Sequence, residues 1–142
     1  MGHTMTSSLV DTNIVFDLFN RDPAWFDWSS RTLGRCRNDG EVIIKPIVLA
    51  ESAADFSTVP EFMRTLEHFG FTLEHLPWAA SFDAGKAYVR YRRGGGSRGR
   101  TLPDFFVGAH AAAKGYCLLT RDGRRYRKYF PDLEIIAPDT HP

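Results

Sequence analysis

The feature of this 142-residue chain that most restricts its fold is a series of short runs with no polar face, each followed by a segment of helical periodicity. Ser7–Val10, Glu41–Ile44, Phe71–Glu74, Tyr116–Thr120 and Leu133–Ile136 read as strands, and several are too apolar to leave one side in water. Strands of that kind belong to a parallel sheet covered on both faces by the helices that connect them. The expected fold is therefore α/β, a three-layer α/β/α sandwich around a central parallel sheet.

The segments between the runs agree. Ile14, Val15 and Leu18 follow Asp11 at helical spacing, with Asp11 at the N-cap. A second helix is expected over Ala24–Arg37 with Asp22 as its cap, and a third from Pro46 through Ala54. Thr58 opens a fourth, with Phe62, Leu66 and Phe69 on one face and Gly70 after it. A fifth runs from Ala79 to about Tyr91. The stretch from Arg92 to Arg100, Arg-Arg-Gly-Gly-Gly-Ser-Arg-Gly-Arg, is expected to be neither helix nor strand and to be mobile. Thr101 opens a sixth helix that Gly115 ends, and a short basic helix or turn is expected over Arg124–Phe130. Nothing divides the chain, so one domain is expected over residues 5–142, with Met1-Gly2-His3-Thr4 read as an expression remnant.

No apolar run reaches the roughly 18 residues of a membrane span, and a cytoplasmic protein is expected. Cys36 and Cys117 lack metal-type spacing and read as two reduced thiols. The net charge of +1 conceals an uneven distribution. From Lys86 to Lys128 there are 12 Lys and Arg against two acids, whereas residues 1–85 carry six basic and 12 acidic residues. A segment this basic points to a polyanion or an acidic partner. Arg92, Arg93, Arg98, Arg100, Arg121, Arg124 and Arg125 are the candidate contacts, with Tyr88, Tyr91, Tyr126 and Tyr129 among them as possible stacking surfaces.

The two acids that interrupt the basic segment are Asp104 and Asp122. Asp11 and Asp122 follow strands, while Asp104 and Glu51 lie in helices led by loops on the same sheet edge. In a parallel sheet with right-handed crossovers, that edge collects all four, and it is where open α/β sheets bind ligands. Clustered carboxylates resist ionisation unless a cation neutralises them, and an oxygen-only set suits Mg²⁺ or Mn²⁺. Each acid also has a plainer role: Asp11 as an N-cap, Asp104 in a capping box with Thr101, Asp122 in an Asp-Gly turn, Glu51 on a solvated face. Asn13 and Thr120 are candidate supporting polar groups. His110 reads as structural. The glycine-rich stretch lacks the Lys-Ser/Thr ending of a phosphate-binding loop.

Leu9-Val10-Asp11-Thr12-Asn13, Pro46-Ile47-Val48-Leu49-Ala50-Glu51, Pro103 through Ala111 and Leu118-Leu119-Thr120-Arg121-Asp122 resemble, in order, the four signature segments of the PIN domain. The run from Arg125 to Pro138 is similar to the end of VapC-type toxins of bacterial toxin–antitoxin pairs. The resemblance spans Leu9 to about Pro138. It implies a PIN-like fold and a Mg²⁺- or Mn²⁺-dependent endoribonuclease in which water attacks a phosphodiester, leaving a 5′-phosphate and a 3′-hydroxyl. It implies Asp11, Glu51, Asp104 and Asp122 as the catalytic acids, with Asp11, Asp104 and Asp122 on the metal. It also implies a homodimer held inactive, in a hetero-oligomer, by a VapB-type antitoxin whose tail enters the acidic site. The basic Gly94–Arg100 insert departs from the family pattern. Two other readings keep the same residues: a non-catalytic module binding RNA or protein, and a metal-dependent DNA nuclease or phosphatase.

Overall fold

The computed structural model describes residues 6–95 and 101–142. Three of its strands carry no polar face because both sides are covered. Strands β1 (Ser8–Val10), β2 (Val42–Ile44) and β4 (Cys117–Leu119) are buried at every position. With β3 (Phe71–Leu73) and β5 (Ile135–Ile136) they form one five-stranded sheet in the order β3-β2-β1-β4-β5. All four pairings are parallel, with Leu9 opposite both Ile43 and Leu118. The expected α/β/α sandwich is the fold observed, with β1 at its centre.

Seven α-helices are present among the described residues. Helices α2 (Phe26–Asp39) and α3 (Pro46–Ser52) both pack on α1 (Thr12–Phe19), and α4 (Val59–Phe69) follows. Helix α5 (Trp78–Arg93) packs along α6 (Leu102–Lys114). The reason is side-chain size: Ala80, Ala84 and Ala87 line one stripe of α5 and admit Phe105 and Ala109 of α6. Gly70 and Gly115, at φ +77° and +69°, take the left-handed conformation that ends α4 and α6. Helix α7 is one turn, Arg124–Arg127.

Several boundaries differ from the sequence reading. Helix α2 begins at Phe26, not Ala24, because Asp22 caps a preceding turn: its Oδ1 accepts from the Ala24 and Trp25 amides at 2.9 and 3.0 Å. Helix α3 ends at Ser52, and Ala53–Asp55 tighten into a 3₁₀ turn. Arg92 and Arg93, expected outside any helix, form the last turn of α5. Cations are favoured there by the negative end of the helix dipole, and the break comes at Gly94. The rest of that stretch, 96–100, lies outside the described residues, and with it Arg98 and Arg100.

Candidate functional site

Strand β1 ends by delivering Asp11 to the carboxyl edge of the sheet. The Asp11 amide still donates to the Leu119 carbonyl at 3.0 Å, so its backbone belongs to the ladder. Its side chain has turned to cap α1, with Oδ1 accepting from the Thr12 amide at 2.8 Å. The residue is 4% exposed. Oδ2 accepts from the Thr120 hydroxyl at 2.9 Å and the Tyr126 hydroxyl at 2.8 Å, with Asn13 Nδ2 at 3.5 Å. Thr120 Oγ1 in turn accepts from Asn13 Nδ2 at 3.2 Å and from the Asp122 amide at 3.1 Å. Asn13 Oδ1 takes the Arg121 amide at 3.1 Å. One carboxylate is thus oriented by α1, the turn after β4, and α7 together.

The other acids approach from three directions. Asp104, in the first turn of α6, accepts from the Thr101 amide through Oδ2 at 3.0 Å and from Arg125 Nη1 through Oδ1 at 3.2 Å. Asp122 stands in the turn after β4, its Oδ2 3.5 Å from Arg125 Nε. Glu51, near the end of the two-turn α3, accepts from the Thr12 hydroxyl at 3.1 Å and is exposed. Asp11 and Glu51 are therefore joined through Thr12, and Asp104 and Asp122 through Arg125. Among the described residues, no three His, Cys, Asp or Glu side chains stand in an arrangement that by itself encloses a metal ion.

The electrostatics follow from burial. Loss of water raises the Asp11 carboxyl above its ordinary value. Hydrogen bonds from Tyr126, Thr120 and the Thr12 amide work against that rise, and the charge of Asp104 adds to it. The Tyr126 hydroxyl is raised well above the usual phenol range, first by burial and then by Asp11, so it stays a donor.

The arginines divide into two groups. Arg92, Arg93 and Arg124 are exposed, Arg92 donating to the Tyr88 hydroxyl at 3.2 Å. Arg121 turns back into the fold: its Nε lies 2.8 Å from Oδ2 of buried Asp17, which Ser29 also binds at 2.7 Å, and its guanidinium rests on the Trp25 ring. Arg125 lies between two of the acids. Tyr91 and Tyr126 are buried. His110 is fully buried with Nε2 2.8 Å from Glu74 Oε1, and Glu74 also takes the Tyr116 hydroxyl at 2.8 Å.

Sequence reasoning missed one participant in the site and one buried charge elsewhere. Tyr126 looked like one aromatic in a basic run, and only its burial reveals a ligand of Asp11. Lys45, the residue after β2, is 3% exposed and makes no ion pair among the described residues. Its ammonium stands 5.8 Å from the Phe106 ring centre.

No protein-family model and no curated protein matches the chain. Solved structures do. They include VapBC2 from Rickettsia felis bound to a DNA fragment from its promoter, at 20% identity and TM-score 0.71. VapBC-1 from nontypeable Haemophilus influenzae matches at 16% and 0.70, and a toxin–antitoxin complex from Klebsiella pneumoniae at 20% and 0.68. Each match covers 93% of this chain and 98% of the other. At these identities the likeness is one of fold: the chain is a PIN-like α/β/α sandwich of the kind found in VapBC toxin–antitoxin complexes.

Proposed function

We propose that the chain is a Mg²⁺- or Mn²⁺-dependent endoribonuclease, the toxin of a toxin–antitoxin pair. The observation that carries this reading is the buried, four-fold hydrogen-bonded Asp11 at the carboxyl end of the central strand, with Asp104 close enough to act on its charge. A structural N-cap has no need of burial or of a second acid.

The donor set fits a hard divalent cation in kind, because every candidate ligand is a carboxylate oxygen. Mg²⁺ keeps several waters and is commonly held by one or two carboxylates plus substrate phosphate, so an enclosing triad is not required. Asp11 and Asp104 would hold the ion, with Asp122 beside them. When bound, the ion supplies a water of lowered pKa and neutralises charge on the phosphoryl oxygens.

The remaining steps belong to the protein. Tyr126, Thr120 and the Thr12 amide fix the Asp11 carboxylate so that it does not reorganise during reaction. Glu51 is held by Thr12 through Oε1; Oε2 makes no hydrogen bond among the described residues and can take the proton of the attacking water. Exposed Arg92, Arg93 and Arg124 supply backbone contacts to RNA. The similarity to VapBC complexes supports a VapB-type antitoxin as partner; a second copy of the chain as dimer mate and action in the cytoplasm belong to the same proposal. No helix among the described residues is long and apolar enough to cross a membrane.

The test is cleavage of a cellular RNA pool by the purified chain with Mg²⁺, with Mn²⁺ and with EDTA, alongside Asp11→Asn and Asp104→Asn. Discrete fragments that require metal and vanish in both variants are expected. Cleavage that persists in EDTA or in either variant overturns the reading. Tight RNA binding without cleavage, by folded protein and with metal, moves it to a non-catalytic module.

A further inference from the structure

We infer that Arg125 takes the place of a second metal ion, so that the site binds one divalent cation beside a permanent guanidinium. This rests on the metal-dependent reading above and decides its ion count.

The geometry is specific. Two-metal sites place their ions roughly 3.5–4 Å apart, sharing carboxylates between them. Here the carboxylates a second ion would share, Asp104 and Asp122, already converge on one guanidinium, through Nη1 at 3.2 Å and Nε at 3.5 Å. The two contacts use different nitrogens of one planar fork, an arrangement a lysine cannot reproduce. Arg125 is about two-thirds buried, so its charge is only partly screened by solvent and a second dication beside it would be repelled. It cannot escape by losing its proton.

The backbone that carries the side chain is anchored at the same site. The next residue, Tyr126, is fully buried and bonded to Asp11, so the backbone of α7 is fixed to the same site that the guanidinium serves. Arg125 is thus a positioning residue: it bridges Asp104 and Asp122 at a set spacing and leaves the Asp11–Asp104 side for the ion. Lone pairs remain there, because each carboxylate oxygen accepts more than one bond.

The experiment counts Mn²⁺ bound per chain, by titration calorimetry and by electron paramagnetic resonance of free Mn²⁺, on the full chain without RNA. Wild type is expected to bind one ion. Arg125→Gln, which keeps a neutral side chain of similar length, is expected to bind two. Its thermal midpoint, lower than wild type in EDTA, is expected to rise more than wild type's on adding Mn²⁺. Asp122→Asn provides a second count if Arg125→Gln does not fold: it should still bind one, because Asp122 serves Arg125 and not the ion. Two ions on wild type, one ion on a folded Arg125→Gln, or none on Asp122→Asn each overturn the inference. No Mn²⁺ on any variant, with wild-type RNA cleavage surviving EDTA, instead overturns the metal-dependent reading on which it rests.

Discussion

Replacing Lys45 with methionine should make the protein more stable, by an amount the structure allows to be worked out. Lys45 is 3% exposed, has no carboxylate partner among the described residues, and burial pulls its ammonium down from 10.5 to about 8. At about 1.4 kcal/mol per pKa unit, holding that charge inside at neutral pH costs roughly 3 kcal/mol. The Phe106 ring beneath the ammonium returns about 0.5–1 kcal/mol of this. Methionine keeps the unbranched stem and removes the charge, so the net gain is about 2 kcal/mol, or roughly 6 °C in Tm for a domain of this size. The pH dependence gives the mechanism away. The folded pKa lies below the unfolded one, so between pH 8 and 10.5 the unfolded chain binds the proton that the folded chain has released. Wild-type stability therefore gains from rising pH across that window, and the advantage of Lys45→Met shrinks with it. Urea denaturation of both proteins at pH 7 and pH 10 measures the two gaps, and other titrating groups cancel in the comparison. A Lys45→Met protein no more stable than wild type at pH 7, or a gap that does not narrow by pH 10, would refute the reasoning.

Three further outcomes follow from the same accounting. Tyr126→Phe removes one hydrogen bond to buried Asp11 but leaves those from Thr120 and the Thr12 amide, so a loss of about 1.5–2 kcal/mol is expected in urea denaturation; a loss under 0.5 kcal/mol would mean the contact is idle. Burial holds His110 below its ordinary 6.5, so the unfolded chain takes up a proton that the folded one refuses, and Tm should begin to fall as pH drops through 6.5. Burial pushes Glu74 up, but hydrogen bonds from His110 and Tyr116 outweigh it and hold its pKa low, which adds a second loss below 4.5; His110→Gln should flatten the first limb and leave wild-type behaviour above pH 7. Removing the exposed cations together, as Arg92→Ala, Arg93→Ala and Arg124→Ala, should weaken single-stranded RNA binding at low salt and lower its salt slope by about 2, at about 0.7 per lost phosphate contact; an unchanged slope would place the RNA elsewhere.

Much of the fold was legible because the informative residues act locally. Runs such as Val42-Ile43-Ile44 can only be buried on both faces, and Gly70 and Gly115 stop helices where φ turns positive. What escaped was set by tertiary contact. Arg92 and Arg93 look like the start of a disordered basic loop until the helix dipole of α5 is present to hold them. Arg121 and Arg125 read as candidate nucleic-acid contacts, yet one is paired with buried Asp17 and the other with two acids of the site. Tyr126 is indistinguishable in sequence from Tyr129, although only the former reaches Asp11. Periodicity cannot separate such residues, since a one-turn helix has no period.

The competing readings of the acids turn out not to compete. Asp104 caps α6 through Oδ2 and meets Arg125 through Oδ1, while Asp11 caps α1 through Oδ1 and collects Tyr126 and Thr120 through Oδ2. Helix α1 follows the central strand and α6 leads into β4, so in a parallel sheet both start at the carboxyl edge, and capping places the N-terminal carboxylate of each at the ligand-binding edge. Capping leaves the second oxygen of each acid available to the site. This is why a capping pattern alone could not exclude a functional role for either residue, and why exchanging each acid for Asn separates the two roles. Asn keeps the cap and removes the charge, so Asp11→Asn and Asp104→Asn should remain folded while losing any function that depends on the carboxylate.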